Sequence, residues 1–189
     1  MSLSSSRHVR AETTATGPVP HTVRGMTSRP GPATSPSAWS VAPARYDSAG
    51  VQRMLKEFRA SQVALYGHAD DPADTPPSEY QPPRGLFLLA HDPADQPLGC
   101  GGWHLLGPGT GEIKRMYVRP EARGRSLGSR ILRLLEDDAR DHGFDHMQLE
   151  TGALNRAALA LYRAHGYAPV PPYRTGRNPE INRALRKAL

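Results

Sequence analysis

Residues 112–150, EIKRMYVRPEARGRSLGSRILRLLEDDARDHGFDHMQLE, read as a strand, a glycine-containing turn, an amphipathic helix and a second strand, together one βαβ unit. In Glu112 to Val118, strand alternation puts Ile113, Arg115 and Tyr117 on one face and Glu112, Lys114, Met116 and Val118 on the other. Pro120 stops this strand because it brings no N–H to a ladder. From Leu127 the apolar residues Leu127, Ile131, Leu134 and Leu135 recur at helical spacing, opposite Arg130, Arg133, Asp137, Asp138 and Arg140, and Gly143 ends the helix. Between strand and helix lies Arg123-Gly124-Arg125-Ser126-Leu127-Gly128. Its small residues let backbone N–H groups approach an anion at the positive helix end, flanked by two guanidiniums, and a pyrophosphate is the expected guest.

Outward from this unit, Leu86 to His91 and Leu98 to Leu106 read as an antiparallel pair joined by Asp92-Pro93-Ala94-Asp95-Gln96-Pro97. Gly99, Gly101 and Gly102 suggest a bulge or close packing, and the turn Gly107 to Gly111 continues the meander into Glu112. Upstream, Val41 to Tyr46 can be a short strand, and Asp47 or Ser48 can cap a helix through about Tyr66. The acidic, proline-rich stretch GHADDPADTPPSEYQPPRG follows as a loop containing Tyr80. Downstream of a strand Phe144 to Glu150, Thr151 or Asn155 caps a helix carrying Ala158, Leu161, Tyr162 and His165, ended by Gly166, and Tyr167 begins a strand. The last segment, INRALRKAL, fits helix by its Ile181, Leu185, Leu189 spacing or strand by alternation. Antiparallel strands first and a βαβ unit afterwards give an α/β fold with a mixed sheet.

The segment RGRSLG after the strand EIKRMYV resembles motif A of the GCN5-related N-acetyltransferases (GNAT), whose pattern is Q/R-x-x-G-x-G/A. Arg123 and Gly128 match, and Ser126 stands where the family has its first glycine. TGALNRAALALYRAHGYAPVPPY is similar to motif B of the same family, with Asn155 and Tyr162 at the matching positions. A Walker A loop does not fit, since Gly124 to Ser129 lacks the four-residue gap and the lysine, and Gly107-x-Gly109-x-Gly111 precedes a strand rather than a helix.

The resemblance implies a mixed, mostly antiparallel sheet flanked by helices, with the last segment as strand. It also implies acetyl-CoA as acetyl donor, held by Met116, Tyr117, Val118, Arg123, Gly124, Arg125, Ser126, Leu127, Gly128, Ser129 and Asn155, with a backbone N–H near Val118 polarising the thioester carbonyl. A free alkyl amine titrates near about 10.4, so transfer to it needs a proton acceptor. The resemblance makes Glu112 the candidate base, with Glu150 as the alternative or an acceptor-binding carboxylate, and Tyr162 the candidate acid at the CoA sulfur. Tyr80 is the aromatic expected beside the acceptor, a small-molecule or peptide amine. A non-catalytic acyl-CoA-binding regulatory domain is the alternative from another class.

The chain of 189 residues, 38% hydrophobic and 22% charged, can bury one core with a tail: residues 1–39 as a disordered Ser/Thr/Pro-rich segment and 40–189 as the acetyltransferase domain. A formal charge of +6 suits an anionic partner, but arginines scattered among Asp and Glu also describe a solvated surface, and no nucleic-acid reader motif occurs. The single Cys100 precludes an intrachain disulfide and fits a reducing, cytoplasmic setting. It lies between glycines without an adjacent His, as a buried small hydrophobe rather than an acyl carrier. No apolar run approaches the roughly 18 residues of a membrane span. His142 and His146 are separated by the helix-breaking Gly143, so no metal is expected. The chain is expected to be a monomer or homodimer.

Overall fold

The computed structural model of the chain describes residues 39–189, so the disordered tail expected over residues 1–39 lies, apart from Trp39, outside them. In order come β1 (Ser40–Pro43), α1 (Ala49–Tyr66), β2 (Gly85–His91), β3 (Pro97–Gly107), β4 (Thr110–Val118), α2 (Leu127–Asp141), β5 (His146–Gly152), α3 (Arg156–Ala164), β6 (Ala168–Val170) and β7 (Asn182–Ala188). They form a seven-stranded sheet in the order β1-β2-β3-β4-β5-β7-β6. Every neighbouring pair is antiparallel except β4 with β5. This is the expected mixed, mostly antiparallel sheet flanked by helices, and the last segment is strand. Among the described residues no helix is long and apolar enough to cross a membrane.

Alternation along β2 divides the core in two. Leu88 and Ala90 join Trp103, Ile113 and Leu149 beneath Leu127, Ile131, Leu132 and Leu135 of α2, while Phe87 and Leu89 join Cys100 beneath Val51, Met54 and Leu55 of α1. Cys100 is buried as read, and burial pushes its thiol up to about 12. The first strand is shorter than expected, because Tyr46 turns inward to stack on Tyr80 at 4.5 Å and donates to the Pro72 carbonyl at 3.0 Å.

The alternation expected for β4 breaks at Arg115. Gly102 pairs with Lys114 but Cys100 pairs with Tyr117, so one extra residue is accommodated in β4, and Arg115 takes a left-handed φ of 57°. Met116 and Val118 therefore pack with Ile113 on the α2 side, and Tyr117 packs on the α1 side. Gly101 lies opposite the bulge, where an added Cβ would run into the Met116 sulfur. The glycines of β3 thus serve close packing.

Candidate functional site

β4 and β5 pair only over Thr110–Glu112 and His146–Gln148. Beyond Glu112 the two strands separate, leaving the β5-facing backbone edge of β4 unpaired. Two confluent cavities occupy the opening. They share Phe58 and Gln62 of α1, Met116 of β4, and Asn155, Ala158 and Tyr162 at α3.

The first cavity runs along the expected donor site. Met116, Tyr117, Val118, Arg123, Gly124, Ser126, Leu127, Gly128, Ser129 and Asn155 all line it, whereas Arg125 does not and is exposed. Leu127 is buried in the core, so only its backbone can serve a ligand. The first-turn N–H groups of α2 have no intrahelical carbonyl, and Ser126 gives them no side-chain cap. They point with the positive end of a fifteen-residue helix at the groove, which fits a pyrophosphate. Arg123 folds back so that its Nε donates to the Val118 carbonyl at 3.0 Å. Asn155 is the N-cap of α3, as one of the two expected candidates, its Oδ1 accepting from the Ala158 N–H at 3.2 Å.

Ser126 has a φ of 59°, a left-handed conformation that costs a residue with a Cβ about 1 kcal/mol. Ser126→Gly should therefore raise the melting temperature slightly and leave CoA binding unchanged or modestly tighter. Calorimetry showing tenfold weaker CoA binding would instead make the Ser126 hydroxyl a phosphate ligand.

The second cavity lies between β4, β5, the end of α1 and the segment joining β6 to β7. Its charged lining is Lys114, Arg115 and Arg177 against Asp70 and Glu150. Asp70 receives both Nη atoms of Arg177, at 2.5 and 3.2 Å. Glu150 Oε2 lies 3.5 Å from Arg177 Nε and 4.0 Å from Arg174 Nε, while its Oε1 is buried with no hydrogen-bond partner among the described residues. Burial raises the Glu150 carboxyl, with the two arginines opposing.

Glu112, the expected base, lines neither cavity and is fully buried. Its Oε1 accepts from the Tyr173 hydroxyl at 2.7 Å and Arg174 Nε at 3.2 Å, with Lys114 Nζ 3.2 Å away. Its Oε2 meets Arg174 Nη2 at 2.6 Å and His104 Nε2 at 2.9 Å. His104 Nδ1 in turn lies 2.7 Å from Glu79. Burial alone would raise the Glu112 carboxyl, but the bonds from His104 and Arg174 and the Lys114 charge hold it well below the usual carboxylate range. A carboxylate so saturated has no free lone pair aimed at an amine. Tyr80 also departs from its reading. It is buried among Tyr46, Phe87 and His104 and lines neither cavity.

Tyr162 stands where the cavities meet, 5% exposed, its ring packed edge-on against Tyr167 at 5.6 Å. Burial raises its phenol, and its hydroxyl has no hydrogen bond among the described residues. It therefore keeps its proton and can point it at a ligand.

The Acetyltransferase (GNAT) family model matches residues 51–167. The chain belongs to this family. It is 36% identical over 124 residues to an uncharacterised N-acetyltransferase of Schizosaccharomyces pombe, covering 65% of this chain and 75% of that one. Its fold is similar to that of a provisionally named acyl-CoA N-acyltransferase of Klebsiella pneumoniae, at a TM-score of 0.70 and 27% identity over 82% of this chain and 99% of the other. A phosphinothricin acetyltransferase of Sinorhizobium meliloti, solved with acetyl-CoA, shares the fold at a TM-score of 0.62 and 18% identity, covering 80% of this chain and 89% of that one. This GNAT protein is an acetyltransferase by family.

Sequence reasoning missed His104, Tyr173, Arg174 and Arg177. Counting outward from the turn pair Gly107 and Thr110 would set Leu105 opposite Glu112; a register shift between Leu105 and Gly107 puts His104 there instead. Arg174 and Arg177 sit in an irregular segment with no periodicity to aim them.

Proposed function

We propose that the protein transfers the acetyl group of acetyl-CoA directly to a primary amine of a small molecule or peptide, in a complex holding both substrates. The observation that carries this reading is the placement of Glu150 and Tyr162 around one junction: a carboxylate with one donorless oxygen on the acceptor cavity, and a phenol with no hydrogen bond among the described residues where that cavity meets the donor groove. The unpaired edge of β4 and the first turn of α2 would hold acetyl-CoA, which supplies an activated thioester carbonyl. A backbone N–H of the β4 edge near Val118 polarises that carbonyl.

Glu150 takes the proton that the amine must lose, directly or through one water, and Tyr162 donates a hydrogen bond to the leaving sulfur. Counted from the neutral amine, one N–H proton passes to Glu150 and the thiolate leaves hydrogen-bonded to Tyr162; Glu150 then returns its proton to solvent and solvent protonates the thiolate, giving an amide and free CoA. Glu112 is the anchor beneath the site rather than the base. It ties Arg174 and Tyr173, and with them the β6–β7 segment, to the sheet.

An amine panel with acetyl-CoA, followed by free thiol release, tests the reading. Glu150→Gln should lower kcat about 10²-fold near neutral pH and recover as pH approaches the amine's own pKa, where less help is needed. Tight CoA binding with no thiol release from any amine would leave an acyl-CoA-binding role instead. A wild-type pH profile in Glu150→Gln would remove Glu150 from the chemistry.

A further inference from the structure

The acceptor cavity encloses about 150 Å³, below the roughly 300–1,000 Å³ of drug-sized pockets, so its occupant is small. Its charges fall into satisfied and unsatisfied sets. Asp70 and Arg177 neutralise each other through two hydrogen bonds. Arg115 turns toward the loop below α1, donating to the Asp71 carbonyl at 3.3 Å and Thr75 Oγ1 at 3.5 Å. What remains on residues lining the cavity is Glu150 Oε1, a buried acceptor without a donor among the described residues, Arg115 Nε, a buried donor without an acceptor there, and the Lys114 ammonium.

Lys114 is only 19% exposed, and its one ion pair is with Glu112 Oε1 at 3.2 Å. That oxygen also accepts from Tyr173 and Arg174, so the three N–H donors of Lys114 have this one shared acceptor among the described residues. The cavity lining thus holds a carboxylate oxygen lacking a donor among the described residues and an ammonium whose one acceptor is shared. Burial lowers the Lys114 ammonium, against the pull of Glu112, and a second anion at its free face would offset that burial.

A plain alkylamine satisfies Glu150 and leaves the lysine with its one shared acceptor, whereas a molecule carrying both signs satisfies both. Resting on the acetyl-transfer reading of this site, we infer that the acceptor is a small zwitterion, an amino acid whose amine meets Glu150 and whose carboxylate meets Lys114.

The test uses the full chain saturated with CoA. Calorimetry compares a series of α- and ω-amino acids, each with its carboxamide and with the alkylamine lacking the carboxylate. In the wild type the best amino acid should bind about tenfold or more tightly than both of its partners, the scale of one charge-assisted hydrogen bond. In Lys114→Gln, with its fold checked by melting temperature, that ratio should shrink to about twofold or less. Equal binding of acid, amide and amine throughout the wild-type series overturns the inference without any variant. Undiminished preference in a folded Lys114→Gln overturns it as well, by taking the carboxylate away from Lys114. Preferential binding without thiol release from acetyl-CoA would sustain the zwitterion site and defeat the transfer reading, so the two failures are distinct.

Discussion

Tyr162→Phe is expected to bind CoA as tightly as the wild type and to lose about 10² to 10³ in kcat, the worth of one preorganised donor to developing charge. The phenol is raised above its ordinary 10.0 by burial, while an alkyl thiol titrates near about 8.5. Full transfer of the Tyr162 proton to the leaving sulfur would thus run uphill, and the group acts as a hydrogen-bond donor that strengthens as charge gathers on sulfur. Because the hydroxyl has no hydrogen-bond partner among the described residues, removing it should change the melting temperature little, and that separates a catalytic loss from a packing one. Calorimetry for CoA, thiol release for kcat and a thermal melt check the three parts. Wild-type turnover in Tyr162→Phe would reduce the ring to core packing against Tyr167.

The βαβ unit was legible because its two periods, two for the strand and 3.6 for the helix, are set by residues that also face the core. The donor groove followed from it, since a turn of small residues before a helix fixes where backbone N–H groups point. The acceptor side was less legible for a physical reason. A single bulge at Arg115 reverses the faces of Met116, Tyr117 and Val118, and nothing in the local sequence marks a non-glycine residue for a positive φ. Tyr80 was misplaced because a proline-rich loop was read as open, whereas two short 3-10 turns, Pro72–Asp74 and Pro77–Tyr80, carry the Tyr80 ring into the core. Glu112 is expected as the base, but its partners come from three separate stretches, β3, β4 and the β6–β7 segment. Even the hairpin partner His104 depends on the register shift between Leu105 and Gly107.

Glu112→Gln tests whether this carboxylate anchors or catalyses. The substitution keeps the shape and removes the charge that Arg174, Lys114 and His104 share, leaving cations in a largely desolvated place. Breaking a buried pair costs about 3–5 kcal/mol. Since Arg174 remains 33% exposed and can recover some hydration, the lower end applies, about 3 kcal/mol, or a melting temperature lower by about 6–12 °C for a chain of this size. The pH dependence has a definite sign. The folded Glu112 carboxyl is depressed, so its contribution is fully present above the unfolded value near about 4.3 and is lost as pH falls through the lower folded value. The stability gap between wild type and Glu112→Gln should therefore narrow progressively below about pH 4. Urea titrations of both proteins at neutral and acid pH measure it. Because Asp70 and Glu57 are depressed in both chains by Arg177 and Arg119, their own acid losses cancel in the difference. A variant as stable as the wild type, with kcat reduced by about 10² or more at neutral pH and restored at high pH, would return Glu112 to the role of base.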